Sequence, residues 1–216
     1  MGEQTLRGKL SGVRCNGASN HSDVEREIND FYATPPVATK KLIEHLKEKY
    51  PKLIERVIWE PACGKGHISE EFRKAGYTVI STDLIERGYG SCGEGYDFLK
   101  MEKNIHTDGN CSIVTNPPYK YAQEFVEKSM ELLDDGQLCC MLLKLTFLEG
   151  KKRYQMFKKY PPNEVLVFSE RINCNHGGNF TEKDQGIGGA VAYAWYIWIK
   201  GYKPNNPKLS WISLSE

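Results

Sequence analysis

A single α/β domain is the architecture this sequence predicts: a mostly parallel sheet of seven strands, helices on both faces and an antiparallel pair of strands at one edge. Three observations predict it. From Arg56 onward, short apolar runs alternate with amphipathic helical patterns, as strands joined by crossover helices do. The run at 137–145 (QLCCMLLKL) is apolar nearly throughout, which suits a central strand covered on both sides. The chain has 216 residues, enough for one core and too few for two full domains.

Each element follows in order. Residues 1–24 are rich in Gly, Ser and Asn without apolar periodicity, so they read as a flexible arm, and 25–216 as the folded domain. The turn-rich segment Asp30-Phe31-Tyr32-Ala33-Thr34-Pro35-Pro36 opens a helix with Val37, Leu42, Ile43 and Leu46 on one face, closed by Pro51. RVIWE (56–60) is a strand, HISEEFRKAG a helix ending at Gly76, and TVISTD (78–83) the next strand. CSIVT (111–115) is a third strand, followed by the helix AQEFVEKSMELL with Phe125, Val126, Met130 and Leu133 inward. The runs EVLVFSERI and AVAYAWYIWIKG have no helical pattern between them, so they are expected to pair antiparallel at an edge. The polar loop joining them, about 173–189, is long enough to expect a function of its own.

Composition narrows the function. With 29 Lys+Arg against 28 Asp+Glu, the net charge of +1 carries no global footprint of a nucleic-acid binder, so any phosphate contact must be local. No run approaches the ~18 apolar residues of a membrane helix and no secretory signal is visible, so a soluble, cytoplasmic protein is expected. The seven cysteines are odd in number and lack C-x-x-C spacing, which argues for free thiols. Cys139, Cys140, Cys174 and His176 fit no standard zinc spacing, and no metal is expected.

Three motifs carry chemistry. Glu60-Pro61-Ala62-Cys63-Gly64-Lys65-Gly66-His67 lies between a strand and a helix, where glycines let the backbone turn sharply and approach a ligand, and the helix start presents free N–H groups. It has neither the phosphate-cradling P-loop pattern nor the third glycine of the dinucleotide fingerprint; alone it is equally an ordinary tight turn. Asp83, roughly 20 residues on, stands where an acidic side chain accepts hydrogen bonds from ribose hydroxyls, or caps a turn. Together they point to an adenosine-bearing cofactor without a pyrophosphate. Asn116-Pro117-Pro118-Tyr119, at a strand end, is expected by chance in roughly one chain per thousand of this length. Its prolines immobilise the backbone and remove two donors, leaving carbonyls and the Asn amide as acceptors for a planar amino group. If the Asn116 side-chain oxygen and the Pro117 carbonyl each accept one N–H, the nitrogen lone pair is aimed at an electrophilic carbon, and orientation supplies most of the catalysis. Tyr119 offers a ring on which a flat substrate stacks.

The ordered set DFYATPP, EPACGKGH, STD, DFL (from Asp97) and NPPY resembles the class I S-adenosylmethionine-dependent amino methyltransferases, with a Rossmann-like fold, and is most similar to adenine-N6 DNA methyltransferases of phage and prophage type. FLEGKKRY, FSERINC and AYAWYIWIKGY extend the resemblance over about 30–212, in the motif order called gamma. It implies a site-specific DNA methyltransferase whose catalytic domain is 25–216, with S-adenosyl-L-methionine as cofactor and DNA as substrate. By position it implies that Tyr32 and Thr34 border the cofactor's methionine part, and that Glu60, Ala62, Gly64 and Gly66 line its amino-acid and ribose portions. It further implies that Asp83 holds the ribose hydroxyls, Asp97 and Phe98 bind the cofactor adenine, and Asn116, Pro117, Pro118 and Tyr119 hold the target base.

Such enzymes usually carry a separate target-recognition domain, and none is expected within residues 25–216. Target reading is then expected from the 173–189 loop, the N-terminal arm or a partner subunit. Residues 151–160 (KKRYQMFKKY) pack five positive charges and three aromatics into ten positions, which suits a strand-tracking surface through Lys151, Lys152, Arg153 and Lys158. They equally suit a helix with Tyr154, Phe157 and Tyr160 inward and solvated lysines. Arg171 and His176 are further substrate-side candidates. The alternatives are a glutamine-N5 protein or RNA adenine methyltransferase using the same pocket, and an inactive cofactor-binding accessory subunit.

Overall fold

The computed structural model describes residues 31–102, 110–174, 177–180 and 188–215. The expected arm at 1–24, His176 and much of the 173–189 loop therefore lie outside the described residues. The chain begins with helix α1 (Pro36–Lys49), whose first position is a proline, where a missing N–H costs nothing and the fixed φ suits the helix. Ala38, Thr39, Leu42, Ile43 and Leu46 form its buried stripe. Val37, expected inward, is half-buried, and Ala38 takes the seam one residue later.

Strand β1 (Val57–Glu60), helix α2 (His67–Lys74), strands β2 (Thr78–Asp83) and β3 (Ser91–Cys92), and strand β4 (Ser112–Thr115) follow. Helix α3 (Ala122–Leu132), strand β5 (Leu138–Lys144), helix α4 (Arg153–Lys159) and strands β6 (Glu164–Phe168), β7 (Tyr193–Ile199) and β8 (Lys208–Ile212) complete the described elements. Among the described residues, eight strands form one sheet in the order β3-β2-β1-β4-β5-β7-β6-β8. All neighbours are parallel except β7, which runs antiparallel to both β5 and β6.

The two-residue period of a strand sends alternate side chains to two cores. Trp59, Ile113, Cys139, Met141, Leu143, Tyr196 and Trp198 face α3 and α4, together with Phe125, Val126 and Met130. Ile58, Val114, Leu138, Cys140, Leu142, Trp195 and Ile197 face α1 and α2, with Leu42, Leu46, Ile68 and Phe72. Adjacent Cys139 and Cys140 thus point into opposite cores and do not converge on one metal ion.

The late strands are antiparallel as expected, but their place in the sheet differs. β7 lies inside it, pairing with β5 from Leu138↔Ile199 to Lys144↔Tyr193 and with β6 from Glu164↔Ile197 to Val167↔Ala194. The edge belongs to β8, parallel to β6 from Glu164↔Lys208 to Phe168↔Ile212. This eighth strand leaves little trace in an apolar pattern, because Leu209 and Trp211 remain 51% and 67% exposed and the strand is held by its backbone ladder. Fully buried Glu164 anchors this corner. Its Oε2 accepts from the Tyr50 hydroxyl at 2.6 Å and lies 3.1 Å from His45 Nε2, while Oε1 meets Lys208 Nζ at 3.0 Å. A buried carboxylate needs such partners, and here they tie α1, β6 and β8 together. Among the described residues, no helix is long and apolar enough to cross a membrane.

Candidate functional site

The carboxyl ends of β1, β2, β4 and β5 bring Glu60, Asp83, Asn116 and Lys144 to one edge of the sheet. Chain order reverses between β1 and β4, and a crevice opens at such a point because the connections leave toward opposite faces.

The glycine loop after β1 is tied down from several sides. Cys63 N–H donates to the Thr82 carbonyl at 3.0 Å and Gly66 N–H to the Cys63 carbonyl at 2.7 Å. Asp83 Oδ2 accepts from Gly64 N–H at 2.8 Å, and its Oδ1 accepts from Ile85 N–H at 2.8 Å. Asp83 therefore holds the loop in place, and each oxygen keeps a lone pair for a further donor. Glu60 is 2% exposed; its Oε2 accepts from Ser69 N–H at 2.8 Å and from the Ser69 hydroxyl. Burial raises its carboxyl to about 8, against the opposing pull of these hydrogen bonds. Gly64 and Gly66 have φ of 53° and 82°, in the left-handed region that other residues rarely adopt. A Cβ at Gly64 would come within 2.3 Å of the Phe31 ring, and one at Gly66 within 2.3 Å of the Tyr89 ring. Glycine is thus required twice over. Half-buried Ala62 packs against the α3-side core.

Four of the expected residues meet around the strand end at β4. The Asn116 side-chain amide donates through Nδ2 to the Tyr32 carbonyl at 2.8 Å and to Thr34 Oγ1 at 3.1 Å. The Tyr32 carbonyl can only accept, so it requires the amide nitrogen there and sets which end of the amide is which; the Thr34 hydroxyl then serves as the second acceptor. Asn116 Oδ1 is buried and has no hydrogen-bond partner among the described residues. Tyr119 stacks on Tyr32 with centroids 5.4 Å apart and lies 5.9 Å from Tyr193. The Lys144 ammonium stands 4.7 Å over the same ring. Pro117 is buried and Pro118 half-buried.

Other expected residues have different employment. Phe98 is 2% exposed, edge-on to Trp59 at 5.2 Å and 4.9 Å from Phe125, so its ring is enclosed in the core and does not present a face to a cofactor. Asp97 caps the short turn at Phe98–Lys100 by accepting from Leu99 N–H at 3.2 Å, and pairs with Lys100 at 3.1 Å. In α4, Tyr154 is 59% exposed, against the reading that placed it inward, while Met156 is buried and Phe157 packs against the core. Arg153 donates to the carbonyls of Phe147, Thr146 and Glu149 and rests 5.1 Å over the Phe147 ring, a bracing role. Lys151, Lys152, Lys158 and Arg171 are exposed.

Four residues of the β6–β7 loop, 177–180, fold onto the glycine loop. Lys65 Nζ donates to the Gly177 carbonyl at 2.8 Å, His67 Nε2 lies 2.9 Å from the Gly178 carbonyl, and Phe180 meets the His67 ring edge-on at 5.3 Å. Burial holds the His67 ring below the usual histidine range. Phe31, Tyr89 and Lys144 escaped the sequence reading. Lys144 had one signal, a charge ending a buried strand at the sheet edge where ligands bind.

No family model and no curated protein matches the chain. Solved structures do. A chain from Listeria monocytogenes, assigned as a class I S-adenosylmethionine-dependent methyltransferase, aligns at TM-score 0.57 and 14% identity over 88% of this chain and 68% of its own. The methyltransferase subunit of a type I restriction-modification system from Streptococcus thermophilus aligns at 0.59 and 13% over 84% of this chain, which spans 47% of that subunit. A chain from Pyrococcus horikoshii, assigned as an RNA methyltransferase, aligns at 0.56 and 14% over 80% and 86%. At 13–14% identity, what is shared with these methyltransferase structures is the fold, a Rossmann-like α/β sheet.

Proposed function

We propose that this protein transfers a methyl group from S-adenosyl-L-methionine to the exocyclic N6 amine of adenine in DNA. The observation that carries the reading is Asn116 Oδ1: a buried acceptor without a partner among the described residues, on an amide whose nitrogen is fixed by Tyr32 and Thr34. A buried acceptor left unpaired is costly unless something fills it, and an amino group on a flat ring is complementary to it.

The glycine loop fits the cofactor by the same kind of argument, since its two positive-φ glycines and the lone pairs left on Asp83 offer close backbone approach and hydroxyl recognition. Glu60, Ala62, Gly64, Gly66 and Asp83 would hold it. When bound, the cofactor supplies an electron-poor methyl carbon. The chain's own contribution is alignment. Asn116 Oδ1 and the Pro117 carbonyl accept the two N–H groups of the target amine, which draws its lone pair out of the ring and aims it, while Tyr119 backs the base. An adenine in a duplex must be flipped out or presented on an unpaired strand. The restriction-modification subunit among the similar structures supports DNA as substrate and a partner for target reading.

The test is incubation with methyl-labelled cofactor and, in turn, unmethylated DNA, RNA and a protein carrying a glutamine acceptor, with the labelled product identified after digestion. Label in N6-methyladenine from DNA is the expected result. Methylglutamine, or label confined to RNA, refutes the reading.

A further inference from the structure

We infer that Lys144 is a phosphate-binding residue of the target pocket, contacting the phosphodiester next to the methylated nucleotide. The inference rests on the proposed reading of the same pocket and specifies which group of the strand is held there.

Lys144 ends β5, in register with Tyr193 on β7, and its half-buried side chain carries the ammonium to 4.7 Å over the Tyr119 ring. Several other lysines of the protein are matched to carboxylates, among them Lys41 to Glu44 at 3.0 Å, Lys74 to Glu71 at 2.7 Å, Lys100 to Asp97 at 3.1 Å and Lys208 to Glu164 at 3.0 Å, while others, such as Lys120 and Lys158, lie over rings on the exposed surface. Lys144 pairs with no carboxylate among the described residues. Attraction to the ring face offsets part of the cost of half-burying a cation, but a ring accepts none of the ammonium's three N–H bonds in the way an oxygen anion does. Among the described residues no oxygen accepts from its ammonium, which leaves its donors to a ligand.

The three features of the pocket select among substrates. Asn116 Oδ1 supplies an acceptor, Tyr119 a flat ring and Lys144 a cation. A glutamine side chain meets the first and brings no anion for the third. A nucleotide brings an amino group, a stacking ring and a phosphate together. Lys144 also lies on the opposite side of β4 from the glycine loop in the strand order, away from where the cofactor is expected. Its charge therefore serves the substrate, and a fixed cation beside the pocket compensates for the protein's near-neutral total charge.

The test pairs a change in the protein with one in the strand. Binding of an adenine-bearing single-stranded oligonucleotide is measured by fluorescence anisotropy across a salt series, for wild type, Lys144→Met and Lys144→Arg. A second oligonucleotide carries a neutral methylphosphonate at the linkage on either side of the target adenine in turn. We expect Lys144→Met to weaken binding about tenfold or more at low salt and to lower the slope of log affinity against log salt by about 0.7. Lys144→Arg should keep the slope, and binding of S-adenosylhomocysteine should be unchanged in all three proteins. One methylphosphonate should weaken wild type and leave Lys144→Met indifferent, because the two changes remove the same contact. An unchanged slope, or equal sensitivity of both proteins to every methylphosphonate, overturns the inference while adenine methylation still stands. Wild type that labels glutamine and not adenine overturns the proposed function and this inference with it. Should Lys144→Met not fold, wild type insensitive to both methylphosphonates is sufficient to refute the contact.

Discussion

Replacing Asn116 by Ala separates the pocket's chemistry from its architecture. The substitution removes two hydrogen bonds, at 2.8 Å to the Tyr32 carbonyl and 3.1 Å to Thr34 Oγ1. At about 1 kcal/mol net for each, it should cost about 2 kcal/mol of stability, lowering Tm by roughly 4–8 °C for a chain of this size. It also removes the acceptor that positions the target amine, and losing one preorganised group of this kind costs about 10²–10³ in kcat. Cofactor affinity should stay within about threefold, because Asn116 makes no hydrogen bond to the glycine loop in the structure. Thr34→Val is the companion: it keeps the shape of the side chain and removes only the 3.1 Å contact, so the amide loosens without losing its free oxygen. Its kcat should fall about tenfold or less, consistent with a single weakened hydrogen bond. The assay is single-turnover methyl transfer beside titration with S-adenosylhomocysteine. Turnover of Asn116→Ala within about threefold of wild type would sink the assigned role, and so would Thr34→Val acting on cofactor binding alone.

Gly66→Ala should destabilise by about 2–4 kcal/mol, from left-handed strain plus the clash with the Tyr89 ring; Gly76→Ala, with φ of 91° and open space, should cost only the strain, about 1–2 kcal/mol. Comparing their urea midpoints checks this. Burial raises the Glu60 carboxyl to about 8, so the folded state holds its proton more tightly than the unfolded chain. Stability from this group is greatest below the ordinary carboxylate range and falls as pH rises toward 8. The urea midpoint of wild type should drop between pH 5 and pH 8 by more than that of Glu60→Gln. Glu164 behaves oppositely: burial opposes its charge, but His45, Ser210, Tyr50 and Lys208 outweigh it and hold the carboxyl well below the usual range. Its contribution is present above the unfolded carboxylate range and lost on acidification, so wild type should lose stability below about pH 4 more steeply than Glu164→Gln.

Much of the architecture was legible in one dimension because burial leaves a periodic trace. Phe125, Val126, Met130 and Leu133 face the core at the helical spacing read from them, and the unbroken apolar run of β5 is buried from Leu138 to Leu143. The trace fails where apolar side chains are not buried or buried ones are not alone. β8 was missed because Leu209 and Trp211 face solvent. The sequence left the rings of 151–160 open between core and surface, and the fold divides them: Phe157 and Tyr160 pack against the core beside buried Met156, while the Tyr154 ring is exposed under the Lys158 ammonium. Phe98 reads as a motif residue by its neighbour Asp97, but its ring completes the packing between Trp59 and Phe125.

The candidate site divides the same way. By itself, the amino-acid order determined the strand-helix alternation, the glycine-bearing turn after β1 and the rigid Asn116–Tyr119 segment, because turn chemistry and side-chain periodicity are local properties of the chain. Only the folded molecule decided that Asn116 Nδ2 is spent on Tyr32 and Thr34 so that its oxygen is the free end, that residues 177–180 lie on Lys65 and His67, and that Lys144 stands over Tyr119. Those contacts join residues 25 to 112 positions apart in sequence. They depend on strand register and on the reversal between β1 and β4, which hydrogen bonding across the whole sheet sets and no local pattern encodes.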